Sequence, residues 1–445
     1  MNNINQQELY SSHIETLQQR YAVALAAGGF DSVVIAAGQP HAVFLDDQHL
    51  PFKPNPHLMQ WGPLREHPGS VMIYTPGKRP MLLVYTPEDF WHRVPPVPEL
   101  FQHSDFDVQC IANTDMIARA IKQLPKHCAF IGEVLTEADS FGISAANPDA
   151  LLQELHEQRT RKTDWEVANL REASRQAVGG HRAAEECFAG GGSEYAIHLA
   201  YRAACEIVDD EMPYPAIVAI NNHAATLHYQ RLERTATENL SLLLDAGCAS
   251  NGYASDITRS YSDDPEFGAL IEAMHEMQRA LCEAALPGVD YRELHHAAHH
   301  SIAGLLRDAG IVSSAPEESV EIGLTRVFFP HGLGHFLGLQ VHDVGALYTR
   351  RQPGEDIPVG EDKYLRLTRV LEAGNVLTIE PGIYFIDTLL AEIGGTALGK
   401  HVNWDRVAQF QPFGGIRIED NLHITIDGNR NLTREAFSDS AQKPH

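Results

Sequence analysis

"SLLLDAGCASNGYASDITRSY", residues 241–261, places apolar runs on either side of Asn251-Gly252. That dipeptide is the strongest short-range signal for a two-residue β-hairpin turn. A turn centred there sets Asp245 opposite Thr258, and Asp256 then shares their face as a diagonal neighbour of Asp245. Diagonal neighbours lie about 7–8 Å apart at Cα and closer at their side chains. Two carboxylates so placed repel each other unless they share a proton or hold a cation. A bland surface hairpin would not sink an aspartate behind three leucines, so the stretch predicts a strand pair that delivers acidic ligands.

Other stretches offer partners. "HGLGHFLGLQVHD", residues 331–343, spaces His331 and His335 at i, i+4, with glycines that let the backbone approach a ligand closely. It lacks the glutamate that marks helical zinc-protease motifs. In "NVLTIEPGIYF", residues 375–385, Glu380 ends an apolar run just before Pro381-Gly382. In "GIRIEDNLHIT", residues 415–425, Arg417 and Glu419 share one strand face, which is costly unless both have partners. A cation for Glu419 and an anionic substrate for Arg417 would serve. The collected set is Asp245, Asp256, His335, Glu380 and Glu419, whose four carboxylates balance two divalent cations. An oxygen-rich set with one imidazole suits manganese or cobalt and also admits zinc. "LHHAAHH", residues 294–300, holds two more i, i+4 histidine pairs flanking an apolar helical stripe, with no acidic cluster beside them; exposed-face histidines are expected there.

Along the chain, residues 1–160 alternate strand-like runs ("DSVVIAAG", "SVMIYTP", "PMLLVYTP", "FDVQCI", "CAFIGEV") with a helical pattern in "NTDMIARAIKQL", which predicts a small α/β domain. The charged stretch 156–166 is the candidate linker, and Thr163-x-x-Glu166 within it is a capping box opening a helix towards Cys187. Beyond it, residues 161–445 form the second domain, whose residues 165–445 read as two successive blocks of a helix pair followed by strands. Gly190 to Gly192 punctuate the first helix pair rather than cradle a phosphate, since no Gly-Lys-Ser/Thr follows. Asp264-Pro265 and Asp290 start the second pair.

A net charge of −25 repels phosphate backbones and anionic lipid, so neither nucleic acid nor a membrane surface is expected as a partner. The polar N-terminus lacks the layout of a signal peptide, no apolar run is long enough to span a bilayer, and the six cysteines are scattered without a C-x-x-C pair. A cytoplasmic globular protein with reduced thiols is the expectation.

The strings "DAG…SDITR", "HGLGH…VHD", "IEPGIY" and "GIRIEDN" stand in an order that resembles the pita-bread metallopeptidases, the family of methionine aminopeptidase, aminopeptidase P and prolidase. Within it the likeness is to the bacterial Xaa-Pro dipeptidases, whose relatives include organophosphorus acid anhydrolases. "FLDDQHLPFKPNP" and "DFWHRVP" extend it into the N-terminal domain. The resemblance implies a metal-dependent dipeptidase that cleaves Xaa-Pro dipeptides with a hydroxide bridging two divalent ions, most simply Mn2+, with Co2+ or Zn2+ as substitutes. A side activity on organophosphorus triesters would be in keeping; an aminopeptidase P acting on longer peptides, or a non-catalytic binding module, are the alternatives. By the same resemblance Asp256 and His335 hold one metal, Asp245 the other, and Glu380 and Glu419 lie between them, with Glu380 accepting a proton. His228, His331 and His342 would line the pocket, Arg417 would meet the substrate carboxylate, and Tyr214 and Asp47 would be pocket positions. Asp47 would come from the partner subunit of a homodimer.

Overall fold

The computed structural model describes residues 3–102, 105–208, 210–349, 352–356, 360 and 362–441. The chain divides into two compact units, residues 1–166 and 167–445.

The first unit is built on a six-stranded mixed sheet, in the spatial order 107–111, 81–85, 71–74, 32–36, 128–131, 145–146. The central strand Ser32–Ala36 is buried along its whole length, as a strand flanked on both sides must be. Val34, Ile73, Leu83 and Phe130 gather into one apolar cluster on a face of this sheet. The stretch 156–166 ends at the boundary between the two units. It is the end of the helix Asp149–Arg159, a short break, and the start of the helix Asp164–Ala189. The capping box forms there, with Glu166 Oε2 accepting from the Thr163 amide at 2.8 Å and Thr163 Oγ1 accepting from the Glu166 amide at 3.4 Å. Its charged residues are those that favour helix ends.

The second unit has two similar halves. In the first, the helices Asp164–Ala189 and Glu194–Cys205 cover the sheet of strands 258–261, 242–245 and 217–220. In the second, the helices Pro265–Ala284 and Tyr291–Asp308 pack on strands 376–379, 415–417 and 420–424. Asp264 and Asp290 cap the latter pair through their side chains. The halves join at an antiparallel bridge between Thr258 and Glu419, where the Glu419 amide donates to the Thr258 carbonyl at 3.0 Å.

The register of the hairpin follows from its turn. Asn251 and Gly252 have φ of 48° and 89°, the left-handed pair that a type I′ turn requires. Tyr253 pairs with Ser250 and Thr258 with Asp245, so one register runs from the turn to the aspartate. Gly247 is needed for closeness: a Cβ there would lie 2.0 Å from the Ser255 carbonyl oxygen. Gly247→Ala should therefore destabilise the second unit by about 1–3 kcal/mol, an overpacking cost. Gly304→Ala, in a helix interior with open space around it, should stabilise by up to about 1 kcal/mol. Urea unfolding midpoints shifting in the same direction for both variants would contradict this account.

Candidate metal centre

Four backbone segments deliver the acidic and histidine side chains to one place. The hairpin contributes Asp245 and Asp256, and Tyr214 Oη lies 2.9 Å from Asp245 Oδ1 and 2.6 Å from Asp256 Oδ1. A phenol has one proton and an ionised carboxylate none, so one of these contacts needs a protonated carboxyl or a nearby cation.

The stretch 331–343 is not helical: residues 338–342 bend, and 333–337 form an extended segment. It runs antiparallel to the strand Val376–Ile379: the Thr378 amide donates to the His335 carbonyl at 2.9 Å and the Glu380 amide to the Leu333 carbonyl at 2.8 Å. That ladder brings His335 and Glu380 together, with 3.6 Å between His335 Nε2 and Glu380 Oε1. Two of the glycines allow close backbone packing. A Cβ on Gly334 would sit 2.3 Å from the Thr378 carbonyl oxygen, and one on Gly332 would sit 2.9 Å from the backbone of Tyr364 and Leu365.

His335 Nδ1 donates to the Phe336 carbonyl at 2.9 Å, which fixes the tautomer and leaves Nε2 facing Asp256 Oδ2 at 3.3 Å. Asp256, His335 and Glu419 each offer a ligand atom within 4.8 Å of the others. Glu419 Oε2 accepts from Thr258 Oγ1 at 2.7 Å, whereas its Oε1 is buried with no partner. An orphaned carboxylate oxygen in a dry site is costly, and a cation is the natural remedy. The donor set therefore fits a divalent metal.

The ionisation pattern points the same way. Burial pushes Glu380 up to about 7, and burial with the charges of Asp256 and Glu380 pushes Glu419 well above the usual carboxylate range. Asp245 is raised mainly by burial, against the opposing pull of Arg417. Burial acts upward on Asp256 too, but the hydrogen bond and charge of His335 outweigh it and leave this carboxyl lowered.

Arg417 is tied to the protein's own groups. It is buried, with Nη2 donating to Asp245 Oδ2 at 2.6 Å, Nη1 to Tyr384 Oη at 3.0 Å and Nε to Thr258 Oγ1 at 3.3 Å. Three of its five N–H groups are thus engaged, and the one on Asp245 holds that carboxylate in place. His331 is engaged as well: Nδ1 meets the Gly332 carbonyl at 2.8 Å and Nε2 meets Tyr384 Oη at 2.8 Å. Since Tyr384 accepts from Arg417, its own proton points at His331 Nε2, which must be neutral; burial indeed pulls His331 down to about 3. His342 packs edge-on to His335 at 4.4 Å between ring centroids and is pulled down to about 4, mainly by burial and the neighbouring His335. It lies on the exposed side of the site, as does His228. Asp47 sits in the first unit on the exposed turn 43–49, beside Phe44 and Leu45 at 88% and 91% exposure. Tyr384 and Asn421, whose Oδ1 accepts from the Asp256 amide at 3.1 Å, are support residues that the sequence patterns did not single out.

The expectation for residues 294–300 is half wrong. His296 and His300 are exposed, but His295 and His299 are buried and stand edge-to-face at 4.7 Å, with Asp362 as their acidic companion. Asp362 already takes His296 at 3.0 Å and Arg326 at 3.1 Å, so its charge is matched by protein groups. An aspartate more than sixty residues away leaves no trace in the local sequence pattern.

Known proteins resemble this chain along its whole length. Residues 8–156 match the family model for the Xaa-Pro dipeptidase N-terminal domain, and residues 168–426 match metallopeptidase family M24. An Xaa-Pro dipeptidase of Pseudoalteromonas atlantica is 43% identical over 96% of this chain and 98% of its own length. One from Xanthomonas campestris pv. campestris is 45% identical over 97% and 98%. Among solved structures, Escherichia coli aminopeptidase P superposes with a TM-score of 0.72 at 22% identity, covering 97% of this chain and 99% of its own. That likeness establishes the fold, an N-terminal α/β unit followed by a pita-bread unit.

Without metal, the raised carboxyls have a signed consequence. Between the ordinary glutamate value of 4.5 and about 7, folded Glu380 binds more protons than unfolded Glu380, so stability falls as pH rises through that window. A divalent cation removes the repulsion responsible. Adding manganese to chelator-treated protein should raise the melting temperature more at about pH 8 than at about pH 5.5. Equal shifts at both pH values, read by differential scanning fluorimetry, would contradict this electrostatic picture.

Proposed function

Because the chain belongs to metallopeptidase family M24, we propose that it is a metal-dependent Xaa-Pro dipeptidase. The observation that carries the reading is the buried cluster of Asp256, the oriented imidazole of His335 and Glu419, whose ligand atoms lie within 4.8 Å of one another while Glu419 Oε1 has no partner. Asp245, Asp256, His335, Glu380 and Glu419 would hold two divalent ions, with manganese best suited to so oxygen-rich a set and cobalt or zinc able to replace it. Bound there, such ions supply an activated water and polarise the scissile carbonyl.

The chain's own groups do the rest. Glu380 would accept the proton released as water attacks and pass it towards the leaving nitrogen. The Xaa-Pro bond is a tertiary amide without an N–H, so a site that delivers a proton to that nitrogen is worth more than one that grips a backbone ladder. His342 and His228 stand on the open side, where neutral imidazoles can hydrogen-bond the substrate carbonyl and the proline nitrogen. His331 shapes the wall beside Glu380, with 4.0 Å between its Nδ1 and Glu380 Oε2. Tyr214 holds the two aspartates of the hairpin in register.

With three of Arg417's N–H groups engaged within the protein, we propose a second cation for the proline carboxylate. Arg366 is exposed, and its charge is felt at His342, so it stands at the side where that carboxylate would lie. For assembly, the exposed Phe44 and Leu45 beside Asp47 suit burial against a second copy, in a homodimer that lends Asp47 to the neighbouring pocket. Among the described residues no helix is long and apolar enough to cross a membrane. All six cysteines are unpaired, which suits the reducing cytoplasm.

Elemental analysis of reconstituted, active protein should give two divalent ions per chain, and chelation should abolish hydrolysis of an Xaa-Pro dipeptide until manganese is restored; one ion at full activity would sink the dinuclear reading. Dipeptides should exceed the matching Xaa-Pro-Xaa tripeptides in kcat/KM by about tenfold, the low end for a charge-assisted hydrogen bond because Arg366 is solvent-screened. Arg366→Ala should close most of that gap while leaving metal content intact, whereas Arg417→Ala should lower metal content. Equal rates on both substrates in the unsubstituted protein would favour an aminopeptidase acting on longer peptides.

A further inference from the structure

Glu194 opens the helix Glu194–Cys205 and is almost completely buried, at 1% exposure. Its carboxylate accepts four hydrogen bonds, all from one loop. Oε1 takes the Ile220 amide at 3.0 Å and His223 Nδ1 at 2.7 Å, and Oε2 takes Tyr229 Oη at 2.8 Å and the Glu233 amide at 2.8 Å. His223 and Tyr229 stack at 4.6 Å with their planes 17° apart, which ties the two sides of the loop together above the carboxylate. His228 is the residue immediately before Tyr229. A buried carboxylate is expensive unless its acceptor sites are filled, and here both oxygens are filled twice. The helix N-terminus adds a favourable dipole.

We infer that Glu194 is a positioning residue for the reaction: it fixes the 220–233 loop and, through Tyr229, the place from which His228 meets the substrate. This rests on the reading of the chain as an Xaa-Pro dipeptidase with His228 at its pocket. The chemistry of the four donors makes the inference sharp. A glutamine in place of Glu194 has nearly the same shape but only one acceptor oxygen. Whichever way it turns, its amino group faces a backbone N–H and a second donor, so the loop loses its anchor on that side.

The test is a double-mutant cycle on metal-loaded protein with an Xaa-Pro dipeptide as substrate. Glu194→Gln and His228→Ala should each lower kcat/KM about tenfold or more, mainly through kcat, with two metal ions still bound. The double variant should be within about twofold of His228→Ala alone, because a residue that acts through His228 has nothing left to position. Multiplying losses overturn the inference, as does metal loss in step with activity, or a His228→Ala variant as active as the unsubstituted protein. If Glu194→Gln does not fold, Tyr229→Phe removes one donor while keeping the stacked ring. It should cost about threefold or more alone and nothing further on His228→Ala; no loss in the single variant overturns the inference. An unsubstituted protein that leaves Xaa-Pro dipeptides intact takes down the functional reading and this inference together, whereas multiplying losses leave that reading standing.

Discussion

The ion pair between Arg417 and Asp245 is the constraint on which the second unit depends. Its partners come from different halves, Asp245 from the strand Leu242–Asp245 and Arg417 from the strand Gly415–Arg417. Taking two charges out of water costs several kcal/mol per ion, and the mutual attraction repays this only when further hydrogen bonds satisfy both partners. Here they do: Tyr384 and Thr258 complete Arg417, and Tyr214 completes Asp245. The same contacts align Thr258 against Glu419, where the two half-sheets join. Fold and site are thus closed by one set of groups, and a substitution at Arg417 acts on both.

That double use explains what could be read from the sequence and what could not. The hairpin was legible because Asn251-Gly252 fixes a register, and register fixes which side chains share a face. Helix starts at Asp264 and Asp290 were legible because capping is local chemistry. Periodicity also placed Arg417 and Glu419 on one face, correctly, but a face is not a partner. Whether a guanidinium is free or committed depends on a strand 172 positions away in the chain, and no local pattern carries that. His295 and Asp362 failed for the same reason.

The histidines of the 331–343 stretch show how strongly surroundings override residue type. His335 is raised, because Asp256 and Glu380 outweigh the burial that acts against its charge. His331 and His342, four and seven positions away, are pulled down to about 3 and about 4, mainly by burial. One segment therefore presents a ring suited to a metal among carboxylates and two rings that stay neutral across the physiological range. Neutral rings can donate and accept hydrogen bonds beside a cation without adding to its charge.

Counting charge across the site connects these points to substrate choice. Asp245, Asp256, Glu380 and Glu419 carry four negative charges when ionised, and the buried Arg417 returns one. Two divalent ions would then leave the closed cluster with a single positive charge, not the neutrality that the carboxylates alone would give. A buried net charge is costly unless an anion meets it. Transfer of a water proton to Glu380 leaves that total unchanged, whereas a peptide whose terminal carboxylate lies beside the scissile bond would bring in an anion. A longer peptide carries its carboxylate a residue farther out. Arg417 would thus add to a preference for the short substrate by setting the charge that the pocket must take in.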